Sequence, residues 1–482
     1  MHIPSIDEIT IEKDGKVYKR CPDILDVWVD AGSASWNSLY YPQRTDLFEK
    51  FFPADAILEG KDQIRGWFNL LMVCSFLAFD KAPFKRVFMH GFLNDIDGVK
   101  MSKSLGNIIS PKEFIQKHGA DVFRYYMCQT RAGVDINFSW DECVVKQRNL
   151  HILWNMHKLV LNIAKEIEVN PAELNISEDR LGVEEQYIFS KLHSTVQEVS
   201  KLLEEYKLDE IIAPIENLFL ELSRTYMQLV REKSSVGEQE DKEVVLYTVY
   251  TVLLSTIKMF QIISPFICEA IYLNFKETFS LKEASVSHYT WPEVNKELID
   301  TQLEKEMASA KQVIQAILHA REQAKLGVRW PVKEVVVITQ DAEPFTLLQD
   351  AIKQQTNVKS LQFKQKFEGV KLTIKPEYAK IGPVYGNLSP QIITQLGIDS
   401  PETVVQHIES DGAHIFDINK QTIKITKEMV NITRSAPDGF TGANWKQGAV
   451  YLNIERTSEL DAEGYAREIM RKVQDLRKKT EL

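Results

Sequence analysis

The 482-residue chain is 44% hydrophobic and 26% charged, an ordinary folded balance that excludes a disordered or fibrous class. Its length leaves room for about three domains, each able to bury a sizeable core. The net charge of −10 excludes a protein that coats nucleic acid by bulk charge, but leaves a local basic groove open.

The five cysteines (Cys21, Cys74, Cys128, Cys143, Cys268) stand far apart with no C-x-x-C pair. That spacing argues for a reducing compartment and against a cysteine zinc knuckle, so no zinc site is evident. Cys128 and Cys143 could in principle approach one another, with buried free thiols the simpler expectation. MHIPSIDEITIEKDGK has neither the basic n-region nor the apolar h-region of a signal peptide. No apolar run reaches about 18 residues, and the longest, around Phe68 to Phe79, reads as a buried helix. The expectation is a soluble cytoplasmic protein without a membrane partner.

Residues 1–140 alternate short apolar runs with helical patterns, an α/β texture. Ala56-Ile57-Leu58 reads as a strand ending in Glu59-Gly60, Gln63 to Phe79 as a helix, and Arg86 to Gly91 as a second strand. Polar residues at the carboxyl edge of a parallel sheet are where such folds bind ligands. Phe92 to Gly98 reads as a short hairpin turning at Asp97-Gly98. Ser110-Pro111-Lys112-Glu113 opens a helix, with Ser110 as its cap, that stops at His118-Gly119.

Residues 141–325 carry long helical stripes. Ile188, Leu192, Val196, Val199, Leu203 and Tyr206 recur at steps of three or four, as do Ile211, Ile215, Leu218, Leu222, Tyr226 and Leu229. Both read as the packed faces of a helical bundle rather than as ligand sites. Pro265 should break or kink a third long helix. Residues 326–482 turn mixed again. Strands are expected at 335–338, 370–374, 422–425 and 450–454, with helices at 345–354 and 461–479.

Between the first strands and the bundle lies Lys100-Met101-Ser102-Lys103-Ser104, led in by Asp97-Gly98-Val99 and followed by Leu105-Gly106-Asn107. Lys100 and Lys103 sit among small and hydroxylated residues, so both ammonium groups can converge on one anion beside backbone N–H and Ser donors. That suits a mobile phosphate-gripping loop. A solvated surface turn is the alternative that five residues alone leave open.

The neighbouring stretches give this loop a context. DVWVDAG, LEGKDQIRGWF, HGFLNDIDGVKMSKSLGN and HGADVFRYY follow one another in the order of motifs typical of the class I aminoacyl-tRNA synthetases. WNMHKLV, SPFICEAIY and SVSHYTWPE are similar to that family's bundle segments, and RWPVKEV, KIGPVYG and DAEGYAREIMRKVQDLRKK to its C-terminal domain. The chain resembles this family over nearly its whole length. It is most similar to the isoleucine-specific members of archaeal and eukaryotic type, with valine- or leucine-specific members as the alternative. Val29 and Ala31 depart from the Phe and Ser usual in the D-x-W segment.

The resemblance implies a multidomain α/β and all-α architecture. Residues 1–140 would be part of a Rossmann-like catalytic domain, 141–325 an anticodon-binding bundle, and 326–482 a small α/β domain. It implies a two-step reaction in which isoleucine attacks the α-phosphate of ATP and the acyl group then passes to tRNA(Ile), with Mg2+ accompanying the nucleotide. Lys103 would contact the ATP phosphates with Lys100, while Met101, Ser102 and Ser104 shape the loop and Gly98 and Gly106 let it open and close. Glu59, Gly60, Asp62 and Gln63 would hold the aminoacyl-adenylate, with Gly60 allowing close backbone approach. His90-Gly91 would lie against the adenosine, and Trp28 and Trp67 would wall the amino-acid side chain. For Glu59 the alternative is an acidic helix cap, for His90 a structural histidine, and for the two tryptophans plain core packing.

The family's H-x-G-H motif is not found, nor is its editing insertion. The expectation is therefore the C-terminal portion of a larger synthetase, or one product of a split gene, that needs an N-terminal half as partner. A non-catalytic tRNA-binding fragment is the alternative. Retention of the lysine loop and the Glu59 segment favours the first, since a pure binder has no need of an adenylate pocket.

Overall fold

The computed structural model describes residues 4–22 and 27–479; Asp26 of the D-x-W segment lies outside them. The chain is a multidomain α/β and all-α protein whose contacts gather into two compact units. One comprises residues 1–174, 192–223 and 249–294, the other residues 175–191, 224–248 and 295–482.

In the first unit, strands Ile57–Gly60 and Val87–His90 run parallel and flank the helix Trp67–Phe79, a β–α–β arrangement. The helix starts later than its apolar pattern suggests. Lys61–Arg65 forms a 3₁₀ turn, Gly66 takes φ −119° and ψ −113°, and the Gln63 side chain then accepts the Trp67 N–H at 3.0 Å. Only one side of this helix is buried, through Phe68, Leu71 and Ser75, while Val73, Phe76 and Leu77 face outward. The expected hairpin after Phe92 forms in short form: Asn94 and Lys100 bridge antiparallel across the turn, and the Asp95 N–H donates to the Val99 carbonyl at 2.9 Å. Leu93–Asn94 also runs parallel to Ile136–Asn137. Helix Pro111–His118 begins as expected, but Ser110 contributes its carbonyl and not its hydroxyl.

The helical stripes are buried nearly as read. Ile188, Leu192, Val196 and Val199 are in the core, but helix Val183–Glu204 ends before Tyr206, whose φ is +60°. Ile211, Ile215, Leu218, Leu222, Tyr226 and Leu229 are all buried, yet the helix Ile212–Glu221 passes into a π turn over Leu222–Tyr226. Apolar positions four apart satisfy both geometries, so spacing cannot separate them. Helix Trp67–Phe79 holds the apolar run read at 68–79, and Gln239–Phe260 is the longer apolar helix. By length and composition it could cross a membrane, but 67% of its most apolar window is buried inside the protein, as in a core helix.

Pro265 does not kink this helix; it starts the next one, Pro265–Phe279. The break between them is held from elsewhere. Arg124 donates to the Ile263 carbonyl at 2.8 Å and the Ile262 carbonyl at 3.0 Å, while Asp121 accepts the Phe266 and Ile267 N–H groups at 3.2 and 2.6 Å. One helical turn, within Ala120–Met127, thus caps the two helix ends with opposite charges.

In the second unit a four-stranded sheet orders Phe440–Trp445, Gly448–Asn453, Val332–Ile338 and Val358–Lys364, the last pair parallel. Helix Thr301–Gln323 packs across the first two strands. The expected helix at 345–354 divides into a 3₁₀ turn, Glu343–Phe345, and a helix, Gln349–Thr356. Residues 371–435 form a subdomain whose paired strands and three helices enclose Ile381, Ile392, Val404, Ile423 and Ile425. Helix Ser458–Lys479 closes the described chain.

Candidate functional site

The parallel register sets Gly60 opposite His90, so the carboxyl ends of both strands finish level. Four of the singled-out residues, Glu59, Gly60, His90 and Gly91, therefore meet at one edge, where ligands bind in such sheets. His90 Nε2 lies 3.9 Å from Glu59 Oε2, and His90 Nδ1 lies 2.8 Å from the Gly91 carbonyl. Glu59 also accepts the Gly60 N–H at 3.0 Å. Glu59 does not cap the helix; Gln63 does, at Trp67. Its half-exposed carboxylate keeps acceptor capacity for hydroxyl or ammonium groups. Gly91 is dictated by contact, since a Cβ there would stand 2.0 Å from the Val134 carbonyl oxygen.

Asp62 is exposed and accepts from Gln63 at 3.0 Å. Trp67 donates its ring N–H to the Ala31 carbonyl at 2.9 Å, tying it to helix Val27–Gly32, which carries Trp28. Gly32 lets this helix approach Trp67–Phe79, because a Cβ would sit 2.9 Å from the Cys74 sulfur and 3.0 Å from the Leu70 carbonyl. The two tryptophans thus ride on packed helices, with Trp28 largely exposed.

The lysine loop joins this edge through Phe92. Lys100 Nζ and Lys61 Nζ each stand 5.1 Å from the centre of the Phe92 ring, and Lys61 directly follows Gly60. Asp135 accepts the Lys61 ammonium at 2.6 Å and the Phe92 N–H at 2.7 Å. Those two donors hold its carboxyl below the usual carboxylate range. Lys103 and Ser104 are exposed, Met101 and Ser102 half-buried, and the hydroxyls of Ser102 and Ser104 lie 3.2 Å apart. Gly98, at φ +79°, is committed to the tight turn at Asp95, whereas Gly106, at φ +67°, stands in open space.

Sequence reasoning passed over Lys61, Phe92, Asp95, Asn107 and Asp135. The one available signal was Asp95, whose place ahead of Asp97-Gly98 has the form of an Asx turn. Among the described residues no cluster of three or more His, Cys, Asp or Glu is placed to hold a metal, so no magnesium ligand set is assigned to this chain.

Residues 2–139 match the family described as tRNA synthetases class I (I, L, M and V), and residues 185–337 match the anticodon-binding domain of tRNA ligase. The chain is 36% identical over 488 residues to the isoleucine–tRNA ligase of Thermococcus kodakarensis and 35% identical to that of Pyrococcus abyssi. Each match covers 100% of this chain and 45% of the relative, so the chain spans a little under half their length. A solved methionyl-tRNA synthetase from Mycobacterium tuberculosis, in complex with methionyl-adenylate, is 21% identical with a TM-score of 0.45, over 54% of this chain and 53% of that one.

Proposed function

We propose, from the chain's membership of the class I aminoacyl-tRNA synthetases, that it is part of an isoleucine–tRNA ligase whose ATP-handling edge is the stretch 57–107. Isoleucine's carboxylate attacks the α-phosphate of ATP, giving isoleucyl-adenylate and pyrophosphate, and the acyl group then moves to tRNA(Ile). Such displacement needs positioning and charge stabilisation more than covalent help. Lys103, with Lys100 behind it, supplies charge to the phosphates as pyrophosphate leaves. Glu59 and Gly60 receive the adenylate, His90-Gly91 lie against the adenosine, and Trp28 and Trp67 bound the side-chain pocket. Asp62 and Gln63 complete the adenylate segment, Gln63 by fixing where the next helix begins. Magnesium comes with the nucleotide. The three-part division at about 140 and 325 is part of this proposal, the middle part binding the anticodon arm.

The observation that carries the reading is the level finish of Gly60 and His90, with Lys61 and Lys100 gathered on one ring beside it. Because the sequence contains no H-x-G-H, the test supplies that motif on a second polypeptide, in cis or in trans. Isoleucine-dependent ATP–pyrophosphate exchange is expected with it and not from these 482 residues alone. Exchange that follows another amino acid, or none in either arrangement, overturns the proposal.

A further inference from the structure

The loop is tied at its base by two residues outside the expected reaction machinery. Asp95 Oδ1 accepts the Asp97 N–H at 3.1 Å and the Val99 N–H at 2.7 Å, and its Oδ2 accepts from Asn107 Nδ2 at 2.8 Å. Asn107 Oδ1 accepts the Ser102 N–H at 2.9 Å, and its amide also reaches the Lys100 carbonyl at 3.4 Å. The Asn107 amide and the Val99 N–H hold the Asp95 carboxyl below the usual carboxylate range.

Every one of these bonds falls on residues 97–102 or closes the ring between 95 and 107. Lys100 is held twice, its carbonyl at Asn107 and its ammonium over Phe92. Past Ser102 the ties to Asp95 and Asn107 stop. Lys103, Ser104, Leu105 and Gly106 are all exposed; the Ser104 hydroxyl and the Leu105 N–H meet the Ser102 hydroxyl at 3.2 and 3.3 Å, Lys103 has no ion-pair partner among the described residues, and nothing lies within 4 Å of where a Gly106 Cβ would stand.

We infer that Asp95 and Asn107 are positioning residues that fix Lys100 and Ser102 as a static base, so that only residues 103–106 swing when the loop closes on a phosphate ligand. The clasp acts through the backbone it holds and touches no substrate. Confining the motion to four residues reduces the ordering needed each time Lys103 reaches its ligand. The ligand rests on the proposed function, while the clasp itself is readable without it.

The first test is residue-resolved amide exchange on the 482-residue chain. Val99 and Ser102 should exchange at least about tenfold more slowly than Lys103 and Ser104, as a single hydrogen bond at each allows. Asn107→Ala should erase the protection at Ser102, and Asp95→Ala that at both Val99 and Ser102. The exchanged pair Asp95→Asn with Asn107→Asp keeps an amide facing a carboxylate and should restore most of it. The second test is ATP–pyrophosphate exchange with the H-x-G-H polypeptide present. Asn107→Ala should lower kcat about tenfold, with the KM for ATP nearly unchanged, and the exchanged pair should recover kcat.

Equal exchange at Ser102 and Lys103 in the unaltered chain overturns the clasp. Lost protection with unchanged kcat overturns its positioning role and leaves the proposed function standing. If Lys103→Ala also leaves kcat unchanged, the proposed function falls instead, while the amide result still decides the clasp.

Discussion

The helical stretch from 140 to 323 and the strand-and-loop stretch from 57 to 107 hold their shapes by different means. In the first, Leu153, Val160, Ile215, Phe219, Ile257 and Phe260 are essentially inaccessible to water, and charged groups are buried only with partners. Glu185 is wholly buried, accepting from the Tyr226 hydroxyl at 3.0 Å, the Gly182 N–H at 2.9 Å and Lys233 at 3.2 Å. In the second, a small core of Ile57, Phe68 and Leu71 lies beneath strands that leave Leu58 55% and Val87 42% exposed. Its geometry comes from register, from close approach at Gly91, and from side chains bonding to backbone. A region built on packing answers to volume, and one built on local polar bonds answers to single atoms. Functional side chains belong on the second kind, where they can move without a core to repack.

Substitutions can break or sharpen that contrast. The largest effect should come from Glu185→Ala, which leaves Lys233 and Tyr226 without their buried partner. It should cost about 3–5 kcal/mol of stability by chemical denaturation. A cost under about 1 kcal/mol would mean that the helical stretch does not depend on buried pairing. Lys103→Ala should lower ATP–pyrophosphate exchange about hundredfold, near 2.7 kcal/mol, without moving the denaturation midpoint. A shift in midpoint would show the lysine holding the fold instead of a ligand.

Ile215→Val, deleting one methylene from a fully buried site, should cost about 1 kcal/mol. Leu58→Ala removes more atoms but from a half-exposed position, and should cost less than about 0.5 kcal/mol. Equal losses for these two would erase the distinction between the stretches. A large loss at Leu58 alone would show its outward face to be covered in solution.

The same contrast governs what could be read before the fold was known. Stripes such as Ile188 to Val199 are legible because packing imposes a period on neighbouring residues. The lysine loop and the Glu59 segment are legible because a phosphate-handling chemistry restricts residue types within a few positions. What stayed hidden depends on backbone detail or on distance along the chain. Gln63 and Gly66 decide where a helix starts through one side-chain bond and one unusual backbone angle, neither of which leaves an apolar trace. The bond between Asp95 and Asn107 spans 12 residues and exists only once the loop has closed. The cap that Asp121 provides for the helix at Pro265 crosses 145 residues to reach Phe266.

That cap has a mechanical consequence. Asp121 and Arg124 stand one turn apart and grip the two sides of the break between helices Gln239–Phe260 and Pro265–Phe279. Sliding the gripping helix by a single residue would remove both holds together, so the corner has no intermediate setting. It behaves as a locked bracket rather than a spring. Any displacement of residues 120–127 must arrive at residues 260–267 undiminished, or not arrive at all.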